Sequence, residues 1–218
     1  VDMGGFYLDV LKDRLYTTPA DSRARLSAQT AMHHILEALV RWLAPILSFT
    51  AEEIWGHMLG DREDSVFLAE WYEFLPTPDA PLAELNDAIW ESILSVRSEV
   101  GKELERVRAA GEIRGALDAH ATLYCDDKLH TLLANLGAEL KFVLMTSGAD
   151  IKLLSAASAS VRDTEISGLK IRVEVSPNEK CQRCWHRSDS VSSIEQHPTL
   201  CARCVKNIDG QGEDRRYA

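Results

Sequence analysis

The segment ADSRARLSAQTAMHHILEALVRWLAPIL, residues 20–47, places Leu26, Met32, Leu36, Leu39, Val40 and Leu43 on one stripe at helical spacing, with Arg23, Arg25, Glu37 and Arg41 mainly off it. This pattern predicts a long amphipathic helix, broken or kinked near Pro45, where the ring removes a donor and crowds the preceding turn. TAEEIWGHML, residues 50–59, follows at once. Thr50 can cap a second helix there and Glu53, three residues on, can complete a capping box. That helix is expected to bury Ile54, Trp55, Met58 and Leu59. Two successive amphipathic helices make the N-terminal third an α-helical bundle.

Outward from this pair the chain changes character twice. WYEFLPTPDAPLAEL, residues 71–85, contains Pro76, Pro78 and Pro81, which stop helices and turn the chain, so a boundary is expected near residue 78. A third helix is predicted in NDAIWESILSVRSEVGKELERVRAAG, residues 86–111. There Ile89, Trp90, Ile93, Val100, Leu104 and Val107 recur at threes and fours, and Gly111 closes the end. Beyond Gly115, AHATLYC (119–125), DIKLLS (150–155) and LKIRVEVS (169–176) read as strands. In the last of these Leu169, Ile171, Val173 and Val175 share a face. DDKLHTLLANLGAELKFVL (126–144) reads as helix broken at Gly137, and AASASVRDTEISG (156–168) as a loop. The expected fold class is therefore mainly α with a small α/β unit. Its expected divisions are a helical bundle over 1–78, a long helix with an α/β unit over 79–176, and a small separate tail over 177–218.

The 218 residues carry a net charge of -10, which argues against holding nucleic acid by bulk electrostatics, because phosphate neutralisation needs Lys and Arg at the backbone. The charge is unevenly placed. Residues 177–218 hold seven Lys or Arg against six Asp or Glu, a net of +1, which leaves -11 on the first 176 residues. The tail is where a polyanion approaches at least cost. No run nears the roughly 18 to 20 apolar residues of a membrane span, and VDMGGFYLDVLKDR has neither a basic start nor an apolar stretch of a signal. Together with an odd count of five cysteines, this leads to the expectation of a cytoplasmic protein without membrane contact, and a monomer.

Four of those cysteines lie in EKCQRCWHRSDSVSSIEQHPTLCARC, residues 179–204, as two C-x-x-C pairs with sixteen residues between them. Each pair offers two thiolates from one tight turn, and the intervening loop lets the turns face each other around a tetrahedral ion. Cys181, Cys184, Cys201 and Cys204 are the expected ligands of one structural Zn2+, with His186 and His197 outside the ligand set. A closed four-sulfur site leaves no open position for water or substrate. A redox dithiol is the rival reading, but it lacks the βαβ setting that such a motif needs. Trp185 reads equally as packing on the knuckle or as a stacking platform for an unpaired base. Lys180, Arg183, Arg187, Arg203, Lys206, Arg215 and Arg216 form the basic set around it; any one of them alone reads as solvated surface.

No catalytic constellation is legible, and no residue is expected to be catalytic. His33 and His34 are adjacent on a helix, so their side chains diverge and cannot share a metal. Cys125 has only Asp126 and Asp127 beside it, with no cation to activate a thiolate. There is no phosphate loop, nucleophile elbow or dinucleotide turn.

FYLDVLKDRLYT (6–17), ALVRWLAPILSFTAEEIW (38–55) and EWY (70–72) ahead of a proline-rich turn resemble the anticodon-binding helical bundle of the large aliphatic class I aminoacyl-tRNA synthetases. EKCQRCWH (179–186), LCARCV (200–205) and GEDRRYA (212–218) resemble the C-terminal zinc finger of the bacterial isoleucyl-tRNA synthetases, a finger related to that of formamidopyrimidine-type DNA glycosylases. GALDAHATLY (115–124) and ELKFVLMTSGA (139–149) fit the junction region of the same family. The resemblance runs from Phe6 to Ala218, without the HIGH and KMSKS signatures or the editing domain, so it implies a C-terminal fragment. It implies that the full enzyme uses ATP to charge tRNA(Ile) with isoleucine, while this part holds the anticodon stem-loop and is inactive alone. It implies the four cysteines as zinc ligands, and tRNA contacts at Trp185, His186 and the basic set. The alternative from another class is a free-standing zinc-ribbon module that binds nucleic acid or protein; a third is a fragment without measurable binding.

Overall fold

The computed structural model describes residues 3–75 and 86–218. Among the described residues the chain is mainly α with a small mixed sheet. After a π-helical turn at Met3–Tyr7 come α1 (Leu8–Thr17), α2 (Arg23–Leu43), α3 (Ser48–His57) and the long α4 (Asp87–Ala109). The sheet is β1 (Ala119–Cys125), β2 (Gly148–Leu153), β3 (Arg162–Asp163) and β4 (Leu169–Val175), in the order β2-β1-β4-β3. β2 runs parallel to β1, and β4 is antiparallel to both of its neighbours. The parallel pairing requires a crossover, which α5 (Asp127–Ala134) and α6 (Leu140–Leu144) provide. The tail holds the two-residue strands β5 (Glu179–Lys180) and β6 (Arg187–Ser188) and the helix α7 (Ala202–Asp209). The boundary expected near residue 78 lies outside the described residues. Among the described residues, no helix is long and apolar enough to cross a membrane.

The main core is where the periodicities predicted it. α4 starts on Asn86, whose side chain accepts the Ile89 N–H, and ends just before Gly111 at φ 77, a left-handed position that costs glycine little. It buries Ile93, Val96, Val100, Leu104 and Val107 against the sheet residues Leu123, Ile171 and Val173. Val10 of α1 joins the same core, so the first helix is tied to the sheet as well as to α2. The expected loop 156–168 carries β3, whose short ladder covers one edge of β4.

The bundle departs from expectation in its details. α2 forms as predicted, but its buried positions are Ala24, Ala28, Ala38, Val40 and Glu37, while Leu26, Leu36 and Leu43 are exposed. Small alanines let neighbouring backbone approach closely, which a leucine stripe would prevent. Glu37, expected in solvent, is buried because Arg41 donates to it at 2.5 Å and Arg62 at 3.2 Å. The two guanidiniums also face the Trp55 ring, each at 4.7 Å. The capping box at Thr50 and Glu53 does not form. α3 begins at Ser48, whose hydroxyl donates to the Ala44 carbonyl, because the turn after Leu43 returns to helical geometry almost at once. Trp55 is buried as expected, but Ile54 is half-exposed and Leu59 is exposed.

Candidate metal centre and nucleic-acid interface

The knuckle is built by backbone hydrogen bonds. Cys181 N–H donates to the His186 carbonyl and Trp185 N–H to the Cys181 carbonyl, which curls Cys181–His186 into a tight turn opened by β5 and closed by β6. Cys201 is the N-cap of α7, and Cys204 lies one turn inside it. The helix start brings the Cys201 N–H to 3.4 Å from the Cys181 sulfur. All four sulfurs lie within 4.8 Å of one another, and all four residues are buried. Cys184 Sγ and Cys201 Sγ are 3.8 Å apart. A tetrahedron with zinc–sulfur bonds of about 2.3 Å has edges of about 3.8 Å, so the donor set fits a zinc ion.

Three of the thiols are electrostatically unequal. Hydrogen bonding to Cys184, and then to Cys204, pulls the Cys201 thiol down to about 3. The same two-way crowding by Cys184 and Cys201 pushes Cys204 above the ordinary thiol range. Protons are thus divided unevenly, and thiolates at all four positions require a cation among them. Apart from the cysteines, the tail's own apolar cluster is Val191 with Leu200 packed on it. So small a core leaves the metal as the principal tie of the segment.

The tail docks on α1 through a buried ionic clasp. Arg203 grips Asp13 with both nitrogens, Nη1 at 2.7 Å and Nη2 at 2.9 Å, and Arg215 Nη1 reaches the same carboxylate at 2.9 Å. Burial opposes the charge on Asp13, but the Arg203 hydrogen bonds and the charges of Arg203, Arg215 and His186 outweigh it and hold the carboxyl down to about 2. Phe142 of α6 lies beneath the clasp: the Arg215 guanidinium sits 3.6 Å from its ring centre, and the His186 ring meets it edge-on at 5.4 Å. Arg183 donates to the Thr17 carbonyl at 2.7 Å, and Arg187 to Asp118 at 2.9 Å.

This arrangement divides the expected nucleic-acid residues. Arg215, with 1% of its side chain exposed, and His186, likewise buried, face inward; Arg203 is committed to Asp13 and Glu213. Arg203 and Arg215 share Asp13, an acid far away in sequence that the local basic composition concealed. Arg183 and Arg187 are half-buried and partly engaged in the same docking. Lys180, Trp185, Lys206 and Arg216 remain on the surface. Trp185 is 61% exposed at φ 66, a left-handed conformation unfavourable for a bulky residue, with Lys180 Nζ 5.3 Å from its ring centre. His197, kept outside the ligand set, pairs with Asp209 at 2.7 Å.

A groove of about 700 Å³ opens between α1, the segment leading into β1, and the knuckle. Lys12, Tyr16, Arg114, Lys180, Arg183 and Trp185 line it, together with Asp9, Asp13 and Asp118. Sequence reading passed over Lys12, Tyr16 and Arg114. The 75% exposure of Tyr16 is its distinguishing mark, and nothing local in the sequence signals it. The groove offers an aromatic face, a second ring and several cations, the components of a site for an unstacked base and its phosphate.

Comparison with known proteins accords with this geometry. The family described as the anticodon-binding domain of tRNA ligase matches residues 1–123. The zinc finger found in FPG and IleRS matches residues 178–207, which together with the four-cysteine cluster gives the chain one structural zinc. Proteins named isoleucine--tRNA ligase are similar over the whole chain: that of Halorhodospira halophila is 56% identical, that of Pseudomonas aeruginosa strain LESB58 52%, and that of Shewanella sediminis 50%. This chain spans 23% of the length of each of these relatives. With more than half of its residues matched by the first of these families, and the finger following in order, the chain belongs to the anticodon-binding domain family of tRNA ligases.

Proposed function

We propose that this chain is the anticodon stem-loop recognition region of an isoleucine--tRNA ligase. In this reading the full enzyme charges tRNA(Ile) with isoleucine at the expense of ATP in the cytoplasm, acting as a monomer, and the present residues supply RNA affinity and orientation but no chemistry. Cys181, Cys184, Cys201 and Cys204 hold the zinc, which fixes the knuckle and lowers the thiol pKa values on binding. The proposed division is a helical bundle to about residue 78, a long helix with the α/β unit to 176, and the finger from 177.

The observation that carries the proposal is the groove lined by residues of both α1 and the zinc knuckle. Lys180, Trp185 and Arg183 from the knuckle line it together with Lys12, Tyr16 and Arg114 from the rest of the chain. Trp185 would stack an unpaired base, and the cations around it would meet the phosphates. Lys206 and Arg216 contribute to the field at longer range. The inward-facing Arg203, Arg215 and His186 act indirectly, by seating the knuckle.

The test is binding of the zinc-loaded chain to a tRNA(Ile) transcript, titrated against salt and against a transcript with a substituted anticodon. Specific binding that weakens with salt, and falls on Trp185→Ala, is the expected result. Equal affinity for both transcripts would defeat anticodon recognition and favour a general nucleic-acid-binding zinc ribbon, which the family relation of the finger to FPG supports as the second reading.

A further inference from the structure

One buried cation has no role in the clasp or the groove. Arg14, next to Asp13 on α1, is 8% exposed, and neither its Nε nor its Nη2 has a hydrogen-bond partner among the described residues. The acids around it are already committed. Asp13 takes Arg203 and Arg215, and Glu213 takes Arg203 at 3.0 Å and Asn207 at 2.9 Å. Glu139 accepts three consecutive backbone N–H groups, from Arg216 at 2.7 Å and from Tyr217 and Ala218 at 2.8 Å each. Arg215, the like charge beside Arg14, also keeps its Nη2 unpartnered. Burial and then the Arg215 charge lower the pKa of Arg14, against the opposing pull of Glu139, Tyr7 and Glu213.

Arg14 lines a cavity of about 360 Å³, which shares Val10 with the lining of the groove. The other walls are Phe6, Val10, Leu11, Trp90 and Leu94, with Tyr7, Tyr217 and Ala218 completing them, so the space beside the guanidinium is mainly apolar. A buried guanidinium with free donors costs several kcal/mol unless an acceptor arrives, and a carboxylate matches its fork with two parallel hydrogen bonds. Phosphate fits poorly here. It would bring a second charge and further acceptors into mainly apolar walls.

We propose that this cavity is a binding site for a small apolar monocarboxylate, with the carboxylate on Arg14 and the hydrocarbon part against Phe6, Val10, Leu11, Trp90 and Leu94. The site is separate from the proposed RNA groove and does not depend on that reading.

The experiment uses the zinc-loaded 218-residue chain with octanoate as the probe and 1-octanol as its uncharged counterpart, read by tryptophan fluorescence and by NMR of the arginine Nε–H groups. Octanoate should bind saturably and perturb one arginine Nε–H, and octanol should bind at least about tenfold more weakly, as expected for loss of a charge-assisted pair. Arg14→Met keeps the stem and should lower octanoate affinity by a similar factor. Its thermal midpoint should stay equal to or above that of the parent, because the change removes an unpaired buried charge. Equal binding of octanoate and octanol, unchanged octanoate affinity in Arg14→Met, or a lower midpoint for that variant would each overturn the proposal. Should Arg14→Met fail to fold, Arg14 has a structural role and the proposal also falls; octanoate against octanol on the parent chain tests the carboxylate site without any variant.

Discussion

The α/β unit and the tail are held together by different physics. In the α/β unit, Ile93, Val96, Leu123, Leu133, Leu140 and Ile171 are almost completely removed from water, and no ion is needed to hold them. The tail has four cysteines and two aliphatic side chains as its core, and meets the remainder of the molecule mainly through Asp13, Arg203, Arg215 and Arg187. Apolar burial is non-directional and tolerates small shifts, whereas a metal and a bidentate ion pair fix position and angle. The tail is thus the part whose placement is specified most sharply and whose stability depends most on conditions.

Removing the metal is the strongest way to break that contrast. Chelation, or Cys204→Ala, should unfold residues from about 178 onward, with a loss on the order of 10 kcal/mol for the segment, while the sheet keeps its amide protection. Hydrogen exchange checks this; a sheet that loses protection together with the tail would show that the two regions form one cooperative unit. Leu123→Ala attacks the other side. Its side chain is fully buried in β1, so a cost of about 2–5 kcal/mol is expected in urea unfolding, with zinc stoichiometry unchanged.

Asp13→Asn probes the clasp that joins the regions. A buried pair broken from one side costs about 3 kcal/mol, here expected as looser docking with zinc still bound. The sign of the pH dependence follows from the depressed pKa. Asp13 has a folded value of about 2 against an ordinary 3.8, so its stabilising contribution is complete above about pH 4 and is lost as pH falls towards 2. The difference in unfolding free energy between the parent and Asp13→Asn should be flat above pH 4 and shrink below it. Unfolding curves of both proteins across that range provide the check.

The smallest effect on stability is expected at Trp185, where the two demands on the tail separate. Glycine adopts φ 66 without strain, so Trp185→Gly should raise stability by up to about 1 kcal/mol. The same change should weaken tRNA binding by about 1–3 kcal/mol if the ring stacks a base. A loss of both stability and binding would mean that the ring packs the knuckle and does not serve RNA.

Much of the architecture was legible because it is local. The spacing of Ile93, Val100, Leu104 and Val107 identified α4, the alternation of Leu169, Ile171 and Val173 identified β4, and two C-x-x-C pairs identified the cysteine cluster. What misled was charge. Arg203 and Arg215 read as part of a basic surface because the partner that buries them, Asp13, lies some 190 residues earlier. Glu37 read as solvated for a similar reason, since Arg62 reaches it only after the chain has turned back past α3. On α2, periodicity identified the helix but not its buried face: of the expected stripe Val40 is buried while Leu26, Leu36 and Leu43 are exposed, and three of the five buried positions are alanines.

The sequence by itself determined α2, α3 and α4, the strands β1, β2 and β4 and the four cysteines, because periodicity, turn residues and ligand spacing act over a few residues at a time. The tertiary structure decided which cations face solvent and which are consumed in pairing, where the groove beside Trp185 opens, and that Arg14 is left without a partner. Those outcomes depend on desolvation and on the distance between charges brought together from opposite ends of the chain, quantities that exist only once the chain has folded.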